Sequence, residues 1–373
     1  MRRDILIEKL SESRNFLEIF KKAKSIDKEC TNFNINIEKL ANGEYNENFT
    51  INVNMVCKNK KLSFKDVLRI NRGSQLGIAE QLSYEYKALE YLDKTGITPK
   101  PILIDTSKKD IDKDYMVMEF IEGRWLDYNT DLDLAIEALV SLHSYSRVDQ
   151  ADYKGTFITS LNPYKAILNE SESMYKKYKE SIYFNYKIGD AIDEIFRQVK
   201  KISEKYCCEN HEFKKNKNDF DYVLINTELN SSNFLVDGDK CYIVDWEKPI
   251  WGDKEQDLGH FLAPTTTFWK TDILFTKYKC DDFLEKYYKK YIEKKHMELN
   301  EDEYLVFKEK VYDYIVCNCL RGLTWCLMAY VEYTEAKKEL MNEFTYKKIN
   351  QYMNLDYIDF IIKNYINEVD NEE

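Results

Sequence analysis

The sequence predicts an α+β protein in two parts: a small antiparallel sheet with accompanying helices, then a larger, mostly helical part. Two observations lead to this prediction. Short stretches of alternating apolar and polar residues fill 34–70, and this period of two is typical of half-buried strands. From residue 122 onward apolar residues recur at helical spacing, interrupted by one β segment at 222–247. We therefore assign one domain to 1–121 and a second to 122–373.

The elements of the first domain follow from local patterns. Residues 4–24 carry apolar side chains three and four positions apart, which predicts an amphipathic helix packed on this domain. The three stretches within 34–70 predict a sheet. Residues 80–96 again have helical spacing and end at Thr95-Gly96, a helix stop, before two prolines enforce an extended connection. The run YMVMEF at 115–120 predicts another buried strand.

The composition indicates a folded protein and excludes several functional classes. The chain has 373 residues, 44% of them hydrophobic and 32% charged, with only 11 Gly and 5 Pro, which excludes a disordered or low-complexity chain. The net charge of −11 argues against a nucleic-acid partner, because neutralising phosphates requires clustered Lys and Arg. No apolar run approaches the roughly 18 to 20 residues that span a bilayer. We expect no membrane partner and a cytoplasmic location.

The cysteines indicate thiols rather than a disulfide framework or a metal site. Their number is nine, which is odd, and they are scattered without a C-x-x-C motif or a Cys/His cluster. We therefore expect buried thiols in a protein of a reducing compartment.

The most informative segment is a predicted hairpin within 222–247. Asp237-Gly238-Asp239 is a turn signal between two short apolar runs, and folding these runs together brings Asn233 and Asp245 to the same end. An amide oxygen and a carboxylate at such a point can share one hard cation, because Mg²⁺ prefers oxygen ligands. Asn233 and Asp245 are therefore candidate metal ligands.

The same segment resembles the catalytic region of a kinase family. Glu228 and Asn233 reproduce the D-x-x-x-x-N spacing of a kinase catalytic loop, with Glu in place of Asp, and Asp245 falls where the metal-binding Asp of the DFG segment would fall. INTELNSSNFLV and IVDWE resemble the H-G-D-x-x-x-x-N and I-D-W/F-E segments of the aminoglycoside phosphotransferase and choline kinase superfamily. GITPKPILID, DYMVMEFIEG and LVSLHSYS are similar to further segments of that superfamily, in the same order, so the resemblance covers most of 37–265.

The resemblance implies a protein-kinase-like two-lobed fold, with a small antiparallel-sheet N-lobe and a larger, mostly helical C-lobe, and ATP and Mg²⁺ as cofactors. It assigns Glu228 to the position of the catalytic base and Asn233 and Asp245 to the metal. Arg69 takes the place of the phosphate-pairing basic residue, and Glu85 that of its helix partner.

The resemblance also assigns residues that need no distinctive side chain. Gly43 would lie in the loop over the phosphates. Glu119 and Ile121, in the segment between the lobes, would offer backbone groups to adenine.

Two further residues are expected to have structural roles through their side chains. Asp257 matches a structural aspartate that holds the catalytic-loop backbone by hydrogen bonds. His143 is expected to be a hydrogen-bonded core histidine.

Four positions depart from the family pattern, and one of them is Asn230, which stands where many family members have a second His or a Gln. Asn226 and Glu228 replace the family's His and Asp, and Arg69 replaces the usual Lys.

Three tryptophans follow the hairpin: Trp246, Trp251 and Trp269. They could line a pocket for an amine through cation-π contacts, or they could belong to the core.

The function expected on these grounds is transfer of the γ-phosphoryl group of MgATP to a hydroxyl of a small, positively charged molecule. One alternative is a catalytically silent, nucleotide-binding pseudokinase with a regulatory or scaffold role, which the replacements at Asn226 and Glu228 suggest. Another is nucleotidyl transfer, which would release pyrophosphate instead of ADP.

Overall fold

The structure is a computed structural model that describes residues 3–26, 29–42, 46–58, 60–73, 77–145, 155–160, 162–216, 222–335 and 343–367. The chain divides into two compact units. The first unit comprises Met1–Trp125, Gly155–Phe157 and Asn233–Pro249, and the second comprises Leu126–Lys154, Ile158–Ser232 and Ile250–Glu373. The hairpin, which the sequence analysis assigned to the second domain, is thus part of the first unit.

The first unit contains the predicted antiparallel sheet. Its five strands are β1 (Cys30–Asn42), β2 (Asn46–Cys57), β3 (Lys60–Asn71), β4 (Pro101–Asp105) and β5 (Tyr115–Glu119), in the order β1-β2-β3-β5-β4. In β2 the buried side chains alternate, with Ile51 and Val53 among them, because successive residues point to opposite faces. β3 pairs with both β2 and β5, so Arg69 lies between Asn48 and Met116 in the sheet.

Two helices share an apolar core with this sheet. They are α1 (Arg3–Glu12) and α2 (Arg14–Ala23). Phe16 and Phe20 of α2 belong to the same buried cluster as Ile51 and Val53 of β2. The prediction of one helix over 4–24 was wrong in one respect, since the helix is broken at Ser13. The Ser13 hydroxyl accepts a hydrogen bond from the Phe16 N–H at 3.0 Å and so caps the start of α2.

The first unit also contains a disulfide, which corrects the expectation that every cysteine is a thiol. Cys30 and Cys57 are bonded, and they lie directly opposite each other in the β1–β2 register. The two cysteines are 27 positions apart in the sequence, so their pairing depends on the register rather than on a local motif. The described cysteines that are buried and lie outside this bond are Cys241, Cys280, Cys317, Cys319 and Cys326.

One helix of the first unit ends as the sequence predicts. α3 (Gln81–Leu92) is followed by a 3₁₀ turn at Asp93–Thr95. The next residue, Gly96, has a φ of 68°, a left-handed conformation that glycine adopts without a Cβ penalty. The extended strand β4 then begins at Pro101.

Five short strands complete the β structure of the described residues: β6 (Arg124–Trp125), β7 (Val223–Ile225), β8 (Phe234–Asp237), β9 (Lys240–Ile243) and β10 (Ile250–Gly252). Strands β6, β8 and β9 form an antiparallel sheet in the first unit, in that order. Strands β7 and β10 form an antiparallel pair in the second unit.

The second unit is mostly helical. Its described helices are α4 (Leu132–Ser144), α5 (Pro163–Lys179), α6 (Tyr186–Asn216), α7 (Lys254–Leu262), α8 (Pro264–Lys270), α9 (Lys277–Lys294), α10 (Glu301–Glu335), α11 (Glu343–Tyr352) and α12 (Leu355–Ile361). Helix α10 is its central element and approaches α8 closely at Gly322, where an added Cβ would lie 2.8 Å from the Cβ of Thr265.

Helix α10 is also long and apolar enough to cross a membrane, which the sequence analysis did not anticipate. Its most apolar stretch of 18 residues is 72% buried inside the structure. A buried helix of this kind is common as the core helix of a globular unit, and length and composition alone are weak grounds for a membrane span.

Candidate active site

The hairpin of the first unit has the predicted turn and register. Gly238 has a φ of 60°, and Phe234 pairs with Ile243 across the two strands. One step beyond this pair, the Val244 N–H donates to the Asn233 carbonyl at 2.8 Å. Asn233 and Asp245 therefore lie at the same end of the hairpin, as predicted. Asp245 adopts a φ of 64°, which Asp tolerates better than most residues.

Arg69 is the buried centre of an ionic cluster in the first unit. Its side chain is 5% exposed. Its Nε lies 2.9 Å from Glu85 Oε2, and its Nη2 lies 2.9 Å from Asp245 Oδ1 and 2.5 Å from Glu247 Oε1. The sheet supplies the guanidinium, α3 supplies one carboxylate and the hairpin supplies two. The structure thus brings together Arg69, Glu85 and Asp245, three of the predicted site residues.

The charges in this cluster shift the pKa values of its members. Burial alone would lower the pKa of Arg69, but Glu85, Asp245 and Glu247 outweigh burial, and the pKa is raised. Burial raises the pKa of Glu85 to about 7, and repulsion by Glu247 and Asp245 adds to this effect. The attraction of Arg69 and a hydrogen bond from Gln81 act in the opposite direction without cancelling it. The Glu85 carboxyl therefore holds its proton more tightly than an exposed glutamate does.

Two amide side chains that the sequence analysis did not assign to this cluster support it. The Asn46 amide donates to Glu247 Oε1 at 2.6 Å. The Gln81 amide donates to the Glu247 carbonyl at 2.7 Å and to Glu85 Oε1 at 3.0 Å. Asn46 ends the predicted phosphate loop, whereas Gly43 of that loop lies outside the residues that the structure describes.

A small cavity adjoins the Arg69 cluster in the first unit. Besides Arg69, Glu85 and Asp245, its lining is mostly apolar and comprises Leu89, Pro99, Met116, Met118, Val244 and Trp246. Trp246 is buried, and its indole N–H donates to the Ile243 carbonyl at 3.1 Å. The cavity has a volume of about 20 Å³, which is room for about one water molecule.

The predicted adenine-binding segment follows this part of the sheet. Glu119 is the last residue of β5, and its N–H donates to the Lys100 carbonyl at 2.9 Å. Its carboxylate accepts a hydrogen bond from the Lys100 N–H at 3.2 Å. Ile121 follows in irregular structure and is partly exposed. The backbone N–H of Glu119 is thus already engaged within the sheet.

In the second unit, Asp257 of α7 holds the loop that carries Glu228, as predicted. The N–H groups of Asn226 and Thr227 donate to the two Asp257 oxygens at 2.9 and 2.7 Å. His143 Nε2 lies 3.4 Å from Asp257, and its Nδ1 lies 2.8 Å from the Tyr287 hydroxyl. His143 is therefore a hydrogen-bonded core histidine, which confirms that expectation.

Thr227 occupies a strained position in this loop. Its φ of 73° is unusual for a β-branched residue. The family segment H-G-D has glycine at this place, and glycine would accept the conformation without strain. The sequence analysis missed this departure, although aligning residues 226–228 (NTE) with H-G-D places Thr227 at the position of the glycine.

Glu228, the candidate base, contacts a residue that the sequence analysis also missed. Its Oε1 lies 3.4 Å from Nη2 of Arg321 in α10, and its side chain is 36% exposed. The Nε of Arg321 donates to Glu170 of α5 at 2.9 Å. Arg321 lies 93 positions from Glu228 in the sequence, so no local motif could have indicated this contact.

The three tryptophans that follow the hairpin lie in different surroundings. Trp251 is fully buried in the second unit, and Trp246 lines the cavity of the first. Trp269 makes edge contacts with Trp325 and Phe344, whose side chains are partly exposed. Trp325 follows Arg321 by four positions on α10, so both lie on the same side of that helix.

Comparisons with solved structures show the fold. A choline kinase from Cryptosporidium parvum Iowa II superposes with a TM-score of 0.63 at 16% identity, covering 97% of this chain and 96% of that one. A spectinomycin phosphotransferase in complex with ADP and spectinomycin gives 0.57 at 14%, covering 98% of each chain. An ethanolamine kinase from Plasmodium vivax gives 0.51 at 15%, covering 96% and 97%. These similarities confirm the predicted α+β kinase-like fold.

The amino-acid sequence was also compared with curated proteins and with models of protein families. No curated protein matches the chain. The model of the phosphotransferase enzyme family, APH, matches residues 59–287, which include β3, α3, the hairpin and the loop of Glu228. This match covers more than half of the chain and agrees with the resemblance found in the hairpin motif. The chain belongs to the phosphotransferase enzyme family.

Proposed function

We propose that this protein is an ATP-dependent kinase that transfers the γ-phosphoryl group to a hydroxyl of a small, positively charged molecule. The observation that carries the proposal is the ionic cluster in which Arg69 contacts both Glu85 and Asp245. All three residues lie within the part of the chain that matches the phosphotransferase family. A basic residue, its helix partner and an acidic residue of the hairpin are thereby assembled within one unit.

On the nucleotide side, Arg69 would bind phosphate oxygens at two points through its guanidinium. Asn233 and Asp245 would hold Mg²⁺, and an amide oxygen and a carboxylate at one hairpin end fit a hard cation. When bound, Mg²⁺ would neutralise the charge of the phosphates. Adenine would pack against the apolar side chains that line the cavity beside Arg69, with backbone groups of Glu119 and Ile121 at its edge, although the cavity in this structure is smaller than a purine.

On the acceptor side, Glu228 would orient the hydroxyl and take its proton. Asp257 would keep the Glu228 loop in place through its hydrogen bonds to the loop backbone. Phosphoryl transfer depends mostly on positioning and charge neutralisation, so a glutamate in place of aspartate is compatible with it. The family membership favours this active enzyme over the silent pseudokinase.

The proposal of a positively charged acceptor has support in the second unit. Trp269, Trp325 and Phe344 form an aromatic group, and all three residues are at least partly exposed. Aromatic faces attract ammonium groups. Trp325 lies one helical turn from Arg321, the residue in contact with Glu228. The proteins named in the solved structures suggest choline, ethanolamine and spectinomycin as the first candidates to test.

The proposal is tested by measuring products from MgATP with a panel of hydroxyl compounds. The panel contains choline, ethanolamine, spectinomycin, other amino alcohols and neutral sugars. We expect ADP release that depends on one amine-bearing acceptor, together with a phosphorylated product. Pyrophosphate release would identify nucleotidyl transfer instead. Turnover with neutral sugars alone would contradict the proposed charge of the acceptor, and ATP binding without any turnover would contradict the enzymatic proposal.

Two substitutions separate the proposed roles. Asp245→Ala should abolish Mg²⁺-dependent binding of ATP, measured by calorimetry, whereas Asp239→Ala at the exposed hairpin turn should leave it unchanged. Glu228→Gln should preserve ATP binding and lower turnover by about 10² or more, the range of general base catalysis. Unchanged turnover in Glu228→Gln would remove the base assignment.

A further inference from the structure

Arg321 contacts two acids through different parts of its guanidinium. Its Nε donates to Glu170 Oε2 at 2.9 Å, and its Nη2 lies 3.4 Å from Glu228 Oε1. The side chain is 24% exposed, so three quarters of its surface is covered. Two contacts on a planar fork fix both the position and the plane of the group. Arg321 can therefore define where the Glu228 carboxylate lies.

The backbone beneath Arg321 is itself firmly placed. Arg321 lies within α10, whose next residue, Gly322, faces Thr265 of α8 so closely that an added Cβ would meet it at 2.8 Å. On the other side of the contact, Asp257 holds the backbone of the Glu228 loop. The two ends of the Arg321–Glu228 contact are thus attached to fixed backbone.

Such a support has a chemical purpose if Glu228 is the base. A glutamate has one more rotatable bond than an aspartate, so its carboxylate has more positions available and loses more entropy when it is held in one. A base must lie within hydrogen-bond reach of the proton that it takes, and a misplacement of about 1 Å can cost about 10²-fold in rate. The longer acid therefore benefits from a partner that restricts it.

We propose that Arg321 is a positioning residue for Glu228. The arginine holds the longer carboxylate where the family's aspartate would stand, and Glu170 keeps the arginine in place. This inference rests on the proposed function, because it assigns Arg321 a part in the same reaction. It differs from a role in binding the acceptor, in which Arg321 would contact an anionic group of the substrate directly.

The experiment compares the steady-state kinetics of variants. The substrates are MgATP and the acceptor that the panel identifies; if the panel identifies none, the hydrolysis of MgATP is measured, with water as the acceptor. Arg321→Gln should lower kcat by about 10- to 100-fold and leave the KM for ATP and for the acceptor within about twofold. Arg321→Lys keeps the charge but not the fork and should recover part of the loss. Arg197→Gln, an exposed arginine on α6, is the matched control and should be unaffected.

Double variants identify the residue through which Arg321 acts. If it acts through Glu228, then Arg321→Gln should cause little further loss in a Glu228→Gln background. In a Glu228→Asp background the shorter acid should need the arginine less, so Arg321→Gln should cost less than it does in the original chain. Glu170→Gln should weaken turnover in the same direction as Arg321→Gln, but by a smaller factor.

Three results would overturn the inference while leaving the proposed function intact. The first is an unchanged kcat in Arg321→Gln, and the second is a raised acceptor KM with an unchanged kcat. The third is a loss of kcat in the Arg321→Gln/Glu228→Gln variant that equals the product of the losses in the two single variants. Thermal unfolding of each variant excludes misfolding as the cause of a loss. If the original chain released no ADP with any acceptor or with water, the proposed function would be wrong, and this inference with it.

Discussion

The guanidinium of Arg69 lies 2.9 Å from the carboxylate of Asp245, which joins the middle of the sheet to the hairpin of the same unit. The same group contacts Glu85 and Glu247. One buried positive charge therefore forms ion pairs with three carboxylates. The stability of the first unit and the chemistry proposed for it depend on the same few side chains.

Removal of the central charge should destabilise the protein strongly. Arg69→Met would remove the cation that pairs with Glu85, Asp245 and Glu247, and removing one partner of a buried ion pair costs about 3 to 5 kcal/mol. The matched control is Arg72→Met. Arg72 pairs with Glu47 but is half exposed, so its loss should cost less than about 1 kcal/mol. Urea unfolding measures both values, and equal costs would contradict the assignment.

The raised pKa of Glu85 predicts a pH dependence of stability. A carboxyl that binds its proton more tightly when folded stabilises the fold below its unfolded pKa of 4.5, and this contribution is lost as pH rises through about 7. Glu85→Gln cannot ionise and should lack this loss. The Tm of the variant minus that of the original chain should therefore increase between pH 4.5 and 7.

The control for this measurement is Glu80→Gln, an exposed acid immediately before α3. A pH trend that both variants share would not be due to the burial of Glu85. The pKa of Asp66 is also raised by burial, but this residue is present in every variant, so its contribution cancels in the differences. A constant difference for Glu85→Gln would show that burial does not shift its pKa.

The left-handed conformation of Thr227 predicts a stabilising substitution. Glycine adopts a φ of 73° without strain, and relief of such strain is worth about 1 to 3 kcal/mol against an entropic loss of about 0.5 to 1 kcal/mol. Thr227→Gly should therefore raise the free energy of unfolding by about 1 kcal/mol. Thr50→Gly within β2 should lower it by a similar amount, because no strain is relieved there. A loss of stability in both variants would be inconsistent with strain at Thr227.

The disulfide predicts a thiol count and a stability change. Protein purified without reductant and then denatured should titrate at least two thiols fewer than the same protein after reduction, because Cys30 and Cys57 are bonded. Cys57→Ser should lower the free energy of unfolding by about 3 to 4 kcal/mol, since the bond closes a loop of 27 positions. Cys326→Ser, at a buried cysteine outside the bond, leaves the bond intact and should still titrate one thiol fewer than the original chain. Nine thiols in the original chain would contradict the bond.

The sequence predicted the parts of the site that local spacing determines. The turn at Gly238 fixes the hairpin, and the hairpin places Asn233 and Asp245 at one end. Asp257 was found because its position in the family pattern carries a defined structural role. Each of these predictions needed only a short segment of sequence and the order of such segments along the chain.

The contacts that the sequence could not predict join distant segments. Glu247 accepts a hydrogen bond from Asn46 across 201 positions, and Arg321 reaches Glu228 across 93. The bond between Cys30 and Cys57 depends on strand register, which turn lengths and packing set together. Roles in ATP and metal binding and in catalysis stay predictions, because they concern chemistry rather than the fold.

The first unit is built from three separated pieces of chain, the last of which ends at Pro249. A protein shortened to residues 1–125 would contain Arg69 and Glu85 but neither Asp245 nor Glu247, so the charge balance around the guanidinium would change. During synthesis on the ribosome, this unit cannot complete its ionic cluster until the hairpin has emerged, by which time most of α5 and α6 is already available to fold. Expression of the sheet as an independent fragment should accordingly yield poorly folded protein.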